Sequence, residues 1–507
     1  MISQNYLGID LGTSELKVLL MDAHGHVLGT AGTQLSVAQP QPGWSEQDPA
    51  QWLAALASAC HNLRSAQPQA YAAVSGIGLS GHMHGATLLD AAGSVLRPCI
   101  LWNDTRSTGQ CAQLTQACPA LEQITGNLAM PGFTAPKLAW VRQHEAAVFA
   151  QTAKVLLPKD YLRLQLTGEY ISDMSDAAGT LWLDVGRRDW SDTMLAATGL
   201  TRQHMPRLVE GSAVAGHLTA AAAALLGLPA GLPVAGGAGD NAASAIGLGA
   251  VNPGDGFVSL GTSGVIFLAT EKFAPNPANA VHAFCHALPG AWHQMAVMLS
   301  AASCLRWVTE LTGKANEAAL LDEVAQLTPA QRAQCPLFLP YLSGERTPHN
   351  NADASGVFMG LRATHQAAHL GYAVLEGVSF GLLDGLTALR QAGGNAQQLQ
   401  LVGGGARSAL WAQLLADVLG LRIATYQVSS VGAALGAARL GQLAAEGCTA
   451  ASIARVCTQH AVEHIYQPNA AAQKALAQRF AQFTQLYAAL KPVFTVQAQG
   501  AAQAALG

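Results

Sequence analysis

Charge is what this sequence has least of. Only 11% of its 507 residues are Asp, Glu, Lys or Arg, against roughly a quarter in an average globular chain. The 27 basic and 31 acidic residues leave a net charge of −4, without a basic run. The electrostatic footprint of a nucleic-acid binder is therefore missing. Cysteine is sparse and unpatterned: nine residues, an odd number, without any CxxC. That argues against a disulfide framework and for reduced thiols in a cytoplasmic protein. The first residues, MISQNYLGIDLG, lack the basic and long apolar regions of a signal peptide, and none is expected. No uninterrupted apolar stretch reaches bilayer-spanning length, so no membrane is expected either. The GxxxxGK[ST] of a P-loop is absent, as is a GxGxxG placed at a βα turn for a dinucleotide.

Apolar material is abundant. Hydrophobic residues make up 50% of a chain too long for one core, so two large domains are expected. The opening run YLGIDLGTSELKVLLMDAHGHVLG predicts a hairpin and a third strand. FVSLGTSGVIFLAT repeats its strand, LGTS, strand pattern half a chain later. Such a repeat points to duplicated domains. The expected division is 1–250, 251–490 and an Ala/Gln-rich tail, 491–507, that frays and has no assigned role. Helical spacing predicts helices in QWLAALASACHNLRSA, PGFTAPKLAWVRQHE and LGYAVLEGVSFGLLDGLTALR. AVSGIGLSG reads as a buried strand. LQLVGGGARSALWAQLLADVLG reads as strand, glycine-rich turn and helix.

Three glycine-rich turns each leave a strand: DLGTS at 10–14, SLGTS at 259–263 and GGGARS at 403–408. Any one is readable as a tight turn. A matched pair in two halves, plus a third before a helix, reads as a phosphate clamp built from backbone N–H groups and hydroxyls. Asp10 precedes the first turn. A carboxylate beside phosphates needs a cation between them, which implies Mg²⁺ held directly or through water. Asp240 stands in VAGGAGDNAASAIGLGA, a run of small residues that would leave room for a substrate. It reads equally as a general base for phosphoryl transfer to an alcohol and as a helix N-cap. The histidines His82, His84, His282, His286 and His293 fit no zinc spacing and read as core or polar contacts.

Taken together, the motifs resemble the FGGY carbohydrate kinases. The resemblance is carried by GIDLGTS, GWSEQDP, SGHMHGATLLD, LWNDTR, ITGNLAMPGFTAPKLAW, LLPKDYLRLQLTGE, SDMSDAAGT, GGAGDNAAS, SLGTSG, FLPYLSGERTPHNN and VGGGARS, in order over about residues 5–440. It implies an α/β fold of two duplicated actin/hexokinase-like (ribonuclease H-like) ATPase domains facing each other across a central cleft, with ATP and Mg²⁺ bound there. It implies Asp240 as the catalytic base, which separates the two readings above, and Asp10 as the acid that positions Mg·ATP. It implies sugar contacts from Met83, His84 and Asn241. Phosphate and nucleotide contacts fall to Gly12, Thr13, Gly261, Thr262, Gly405 and Ala406. Glycerol-specific members carry Arg-Glu where this chain has Met83-His84. The surrounding runs resemble the members acting on D-xylulose. Kinases of ribulose, gluconate or erythritol remain the alternative, and a non-transferring actin-like ATPase a more distant one. His82 stands where close relatives often have Gln and reads as packing. The resemblance leaves a homodimer open.

Overall fold

The computed structural model describes residues 4–426 and 432–504. The N-terminal half opens with an antiparallel meander, β1 (Asn5–Leu11), β2 (Glu15–Asp22) and β3 (Val27–Gln34). Helix α1 (Ala50–Ala66) follows, its first N–H met by the Asp48 carboxylate (Ala50 N–Oδ1 3.0 Å). Next come β4 (Val74–Gly81), α2 (Thr134–His144), α3 (Pro158–Thr167), β5 (Val214–His217), β6 (Pro233–Ala235), β7 (Ala238–Gly239) and α4 (Asp240–Leu248). The seven-stranded sheet runs β5-β6-β4-β1-β2-β3, with β7 paired to β4. β4 is parallel to β1, and β6 is parallel to β4.

The C-terminal half repeats this plan. It contains β8 (Gly256–Leu260), β9 (Gly264–Thr270), β10 (His282–Cys285), β11 (Trp292–Met298), α5 (Ala302–Leu311) and α6 (Ala367–Gln391). β12 (Gln398–Val402), α7 (Ala409–Leu419), β13 (Arg422–Tyr426), α8 (Gly432–Glu446), β14 (Val462–Tyr466) and α9 (Ala470–Ala504) complete it. Its seven-stranded sheet runs β10-β11-β9-β8-β12-β13-β14. Here too a meander, β8-β9-β11, is extended by two parallel strands on the side of its first strand. The LGTS repeat falls on the same turn of both meanders, β1–β2 and β8–β9.

Strand β1 is buried almost throughout because both faces of its sheet are covered. On one face α1 buries Trp52, Leu56, Cys60 and Leu63. On the other lies α8, a helix from the C-terminal half of the sequence. A Cβ on Gly8 would stand 2.0 Å from the Ala434 carbonyl oxygen, and one on Gly78 1.8 Å from that of Ala437. α8 also crosses α4 with backbones in contact: a Cβ on Gly436 would lie 1.8 Å from the Ala243 carbonyl oxygen. The small residues of 234–250 therefore serve helix packing as well as any opening for a ligand.

Two segments fold in ways their composition did not announce. No break falls at 490/491, because α9 runs through to Ala504. Ala and Gln are strong helix formers, and Leu476, Phe483, Tyr487 and Phe494 form a buried stripe docked on the C-terminal core. Helix α6 is long and apolar enough, by length and composition, to cross a membrane. It carries Glu376 and Asp384 and is instead buried in the C-terminal core.

Gly78→Ala should destabilise the fold by about 1–3 kcal/mol, because the colliding atom is backbone that cannot rotate away. Gly109→Ala, in the helix Thr108–Ala117 with open space around its Cβ, should be neutral or stabilising. Thermal unfolding of the two variants side by side checks this.

Candidate active site

Asp10 lies near the C-terminal end of β1, beside Ser80 of β4 and opposite Lys17 of β2. Burial holds its carboxyl above the ordinary range, against the pull of Ser80 and Lys17. Asp240 is the first residue of α4, with Gly239 in the cap position. Sequence spacing had offered the cap; the chain places the acid one residue inside, where the helix dipole favours an anion. Its Oδ1 accepts the Asn241 backbone N–H (2.7 Å) and side-chain amide (3.0 Å). Burial pushes the Asp240 carboxyl up to about 6; the Asp10 charge adds to the rise, and the Asn241 bonds oppose it. The two acids thus sense each other. Asp10 and Asn241 line a cavity of about 250 Å³ with Lys17, Ser244, Ser259 and Gly403. Its walls come from both halves of the chain.

Met83 and His84 sit on the turn after β4. A Cβ on Gly239 would come within 2.7 Å of Met83 Cγ, so the pair abuts the start of α4. His84 has φ 71°, rare for a residue with a side chain. The α2 segment fixes it there: Lys137 Nζ (2.8 Å) and Thr134 Oγ1 (3.2 Å) both donate to the His84 carbonyl. Burial pulls the His84 imidazole down to about 3, so it is neutral near pH 7. Its Nδ1 lies 2.6 Å from the Gly179 carbonyl. That contact requires the proton on Nδ1 and leaves Nε2 as an acceptor. His82 is buried edge-on against Trp52.

Thr262 and Gly405 line a second cavity, about 460 Å³, with Ser303, Asn316, Ser408 and Trp411. The turn around Gly261 is tied to α5 by Ala301 N–Thr262 O (2.9 Å) and Ala302 N–Gly261 O (2.8 Å). Gly403 takes φ 90°, ψ −179°, a region essentially restricted to glycine. A Cβ there would also meet the Leu260 carbonyl at 2.8 Å. In the first turn, Gly12 N bonds Glu15 O (3.0 Å), and Trp102 Nε1 donates to Thr13 Oγ1 (3.0 Å). Asp240, Met83, His84, Gly12, Thr13, Gly261 and Ala406 line neither cavity, although Gly12, Thr13, Gly261 and Ala406 each belong to a turn at a cleft-facing strand end and Asp240 adjoins the first cavity through Asn241.

These features coincide with one family. The domain models of the FGGY family of carbohydrate kinases match residues 5–247 (N-terminal) and 256–445 (C-terminal). The chain is an FGGY carbohydrate kinase. It is 50% identical to the xylulose kinase of Escherichia coli (strain K12) over 96% of this chain and 99% of that one. It is 53% identical to the xylulose kinase of Klebsiella pneumoniae over 87% and 90%. A solved xyloylose kinase from Brucella ovis superposes with a TM-score of 0.93 at 52% identity, covering 96% and 100%. The fold is the two-domain actin/hexokinase-like one.

The kinase also contains a buried ion cluster that sequence reasoning passed over. Lys159 Nζ lies 2.6 Å from Asp160 and Asp173 and 3.2 Å from Asp176, all fully buried. Arg163 joins at Asp160 (2.6 Å) and donates to the Gly236 carbonyl. Asp173 accepts the Ser175 hydroxyl (2.5 Å), which accepts the Gly239 N–H (3.2 Å). The segment leading to Asp240 is thus gripped at both ends. The three carboxylates lie close enough to hold a metal, but the Lys159 ammonium already lies among them and Arg163 adds a second cation at Asp160, while burial pushes the Asp176 carboxyl well above the ordinary range, toward its neutral form. PKDY and SDMSDAAGT had been quoted only for resemblance. The available signal was the crowding of charges into a chain with so few.

Lys159→Met should destabilise the N-terminal half by about 3–5 kcal/mol, because it strands buried carboxylates without a counter-charge. Thermal unfolding followed by calorimetry reads the loss.

Proposed function

We propose that this kinase transfers the γ-phosphoryl group of ATP to the terminal hydroxyl of D-xylulose. The supporting observation is half-identity to xylulose kinases over nearly the whole chain, joined to the raised Asp240 carboxyl in a cleft between two phosphate-type turns. Asp240 accepts the hydroxyl proton and orients the oxygen for in-line attack. A base near pKa 6 is largely ionised at neutral pH, yet more basic than an ordinary carboxylate. Asn241, Met83 and His84 hold the sugar, with His84 Nε2 accepting a hydroxyl proton. Gly12, Thr13, Gly261 and Thr262 receive the phosphates. Gly405 and Ala406 border the nucleotide in the larger cavity.

Mg²⁺ suits the donors present. Asp10 and Asp240 are hard oxygen ligands whose mutual repulsion is offset by Ser80 and Lys17 at Asp10 and by Asn241 at Asp240. Asp10 would hold the ion, through water or directly, and when bound it would offset charge on the transferring phosphoryl group. Asp10 otherwise fixes the polarity of the cleft wall facing Asp240. Enclosure of the sugar between the halves keeps water from taking its place. The scattered thiols, none in a disulfide among the described residues, suit a reducing cytoplasm.

The assay is ADP release with MgATP against D-xylulose, D-ribulose, L-xylulose, gluconate, glycerol and no sugar. D-xylulose should dominate; a win by another sugar overturns the specificity, and no stimulation by any sugar overturns the transfer. Asp240→Ala should lower kcat by at least about 10²-fold in a folded protein. The wild-type kcat/KM should fall as pH drops through about 6, as Asp240 gains its proton, and not near pH 4 where an ordinary carboxyl titrates.

A further inference from the structure

Arg346 is the cation the site leaves without an acid. It lies on the loop after Tyr341, and the backbone around it is pinned to the C-terminal sheet. Thr347 exchanges two hydrogen bonds with Val297 of β11 (3.0 Å each) and donates to the Ala280 carbonyl (2.9 Å). The neighbouring Glu345 makes no ion pair with the guanidinium, although each charge is felt at the other: its Oε1 accepts the backbone N–H groups of Leu299 (3.0 Å) and Arg346 (2.7 Å). Burial pushes the Glu345 carboxyl up to about 8, so it carries a proton at neutral pH. Among the described residues Arg346 has no ion pair. Its one side-chain hydrogen bond is long, Nη1 to His282 Nε2 at 3.4 Å.

The surroundings point the guanidinium at the sugar pair. His282 presents Nδ1 to Asn127 Oδ1 (3.0 Å) in the N-terminal half, which leaves Nε2 as the acceptor facing Arg346. His282 stacks on Phe284 (5.5 Å) and meets Phe133 (5.6 Å), and Phe133 packs on His84 (4.8 Å). The Arg346 charge is felt at both His84 and His282. A guanidinium has five N–H donors in a fixed fork. Here most are unmatched, in a partly open position at the junction of the halves.

We propose that Arg346 binds the acceptor, its unmatched N–H groups donating to oxygens of the keto-sugar beside His84. This rests on the sugar-kinase reading above. The acceptor then bridges Met83 and His84 of one half and Arg346 of the other, so that sugar binding itself draws the cleft together.

The test compares wild type, R346Q and R346K in steady state, varying D-xylulose at saturating MgATP and MgATP at saturating D-xylulose. Sugar-free ATP hydrolysis and thermal unfolding are measured alongside. The expected result for R346Q is a KM for D-xylulose raised about ten- to hundredfold, with the KM for ATP and the sugar-free hydrolysis within about twofold of wild type. R346K should recover part of the loss, since it keeps the charge without the fork. A folded R346Q with an unchanged KM for D-xylulose overturns the proposal. So does a fall in kcat alone, which assigns Arg346 to the transferring phosphoryl group. If R346Q does not fold, R346K carries the test, and an unchanged KM in it overturns the proposal. If wild type ignores D-xylulose but accepts another sugar of the panel, the specificity reading has failed. The same comparison on that sugar then decides Arg346.

Discussion

The contact of α4 with α8 is the constraint on which the site depends. α8 falls between β13 and β14 of the C-terminal sheet in sequence but lies on the N-terminal sheet, seated over Gly8 and Gly78. It meets α4 where Gly436 faces Ala243 and where a Cβ on Gly247 would lie 2.0 Å from the Gly432 carbonyl oxygen. Backbones touch there because no Cβ intervenes. Asp240 is the first residue of α4, so its place in the cleft is set by a packing surface with no slack. The start of α8, Gly432 to Ala434, lines the same cavity as Asp10 and Asn241. One helix pair therefore positions Asp240 and, through Asn241 and Gly432 to Ala434, one wall of the cavity beside it.

Duplication explains how one framework serves two ligands. Each half has a meander whose first turn is LGTS, and each adds a parallel strand beside the meander's first strand. After β12 that strand ends in Gly403-Gly404-Gly405; after β4, at the equivalent position, it ends in His82-Met83-His84. The glycine turn needs, at Gly403, the conformation only glycine tolerates, and a turn of that kind leaves backbone N–H groups able to meet an anion. The histidine turn presents side chains, and His84 is held at positive φ by Lys137 and Thr134 in place of being a glycine. Backbone chemistry suits phosphates, and side-chain acceptors suit hydroxyls.

Much of this was legible in the sequence for local reasons. The LGTS repeat marked both meanders, and GGGARS marked a strand, turn and helix, because such turns are dictated by residues adjacent in the chain. The family resemblance supplied the grouping of Asp10, Asp240, Met83 and His84. What stayed hidden depends on partners distant in sequence. Nothing near Gly78 announces α8, which arrives from more than half the chain away. Glycine and alanine around Asp240 suggested an opening for substrate, whereas much of their role is to admit a neighbouring helix. The Ala/Gln composition of the C-terminal segment hid a docking stripe spaced too widely, from Leu476 to Phe494, to stand out among alanines. Lys137, Lys159 and Arg346 were passed over because a single charge acquires meaning only when its burial is known.

Two kinds of buried aspartate stand out in this charge-poor chain. Asp160 and Asp173 lie against Lys159, with Arg163 also at Asp160; a paired, buried carboxylate is a structural tie whose loss strands its partner. Asp10 and Asp240 have each other, hydrogen-bond donors and only Lys17 of opposite sign, and burial moves their carboxyls upward. An acid in that state gains free energy by taking a proton or meeting a cation, the two events phosphoryl transfer to an alcohol presents to it. The ion cluster and the base are joined through Ser175 and Gly239, so the paired charges hold the unpaired one in place. Stability of the first kind is what permits the electrostatic tension of the second. The same logic separates the arginines: Arg163, matched to an acid and carbonyls, braces the segment before Asp240, while Arg346, matched to nothing but a neutral imidazole, is left with donors to give.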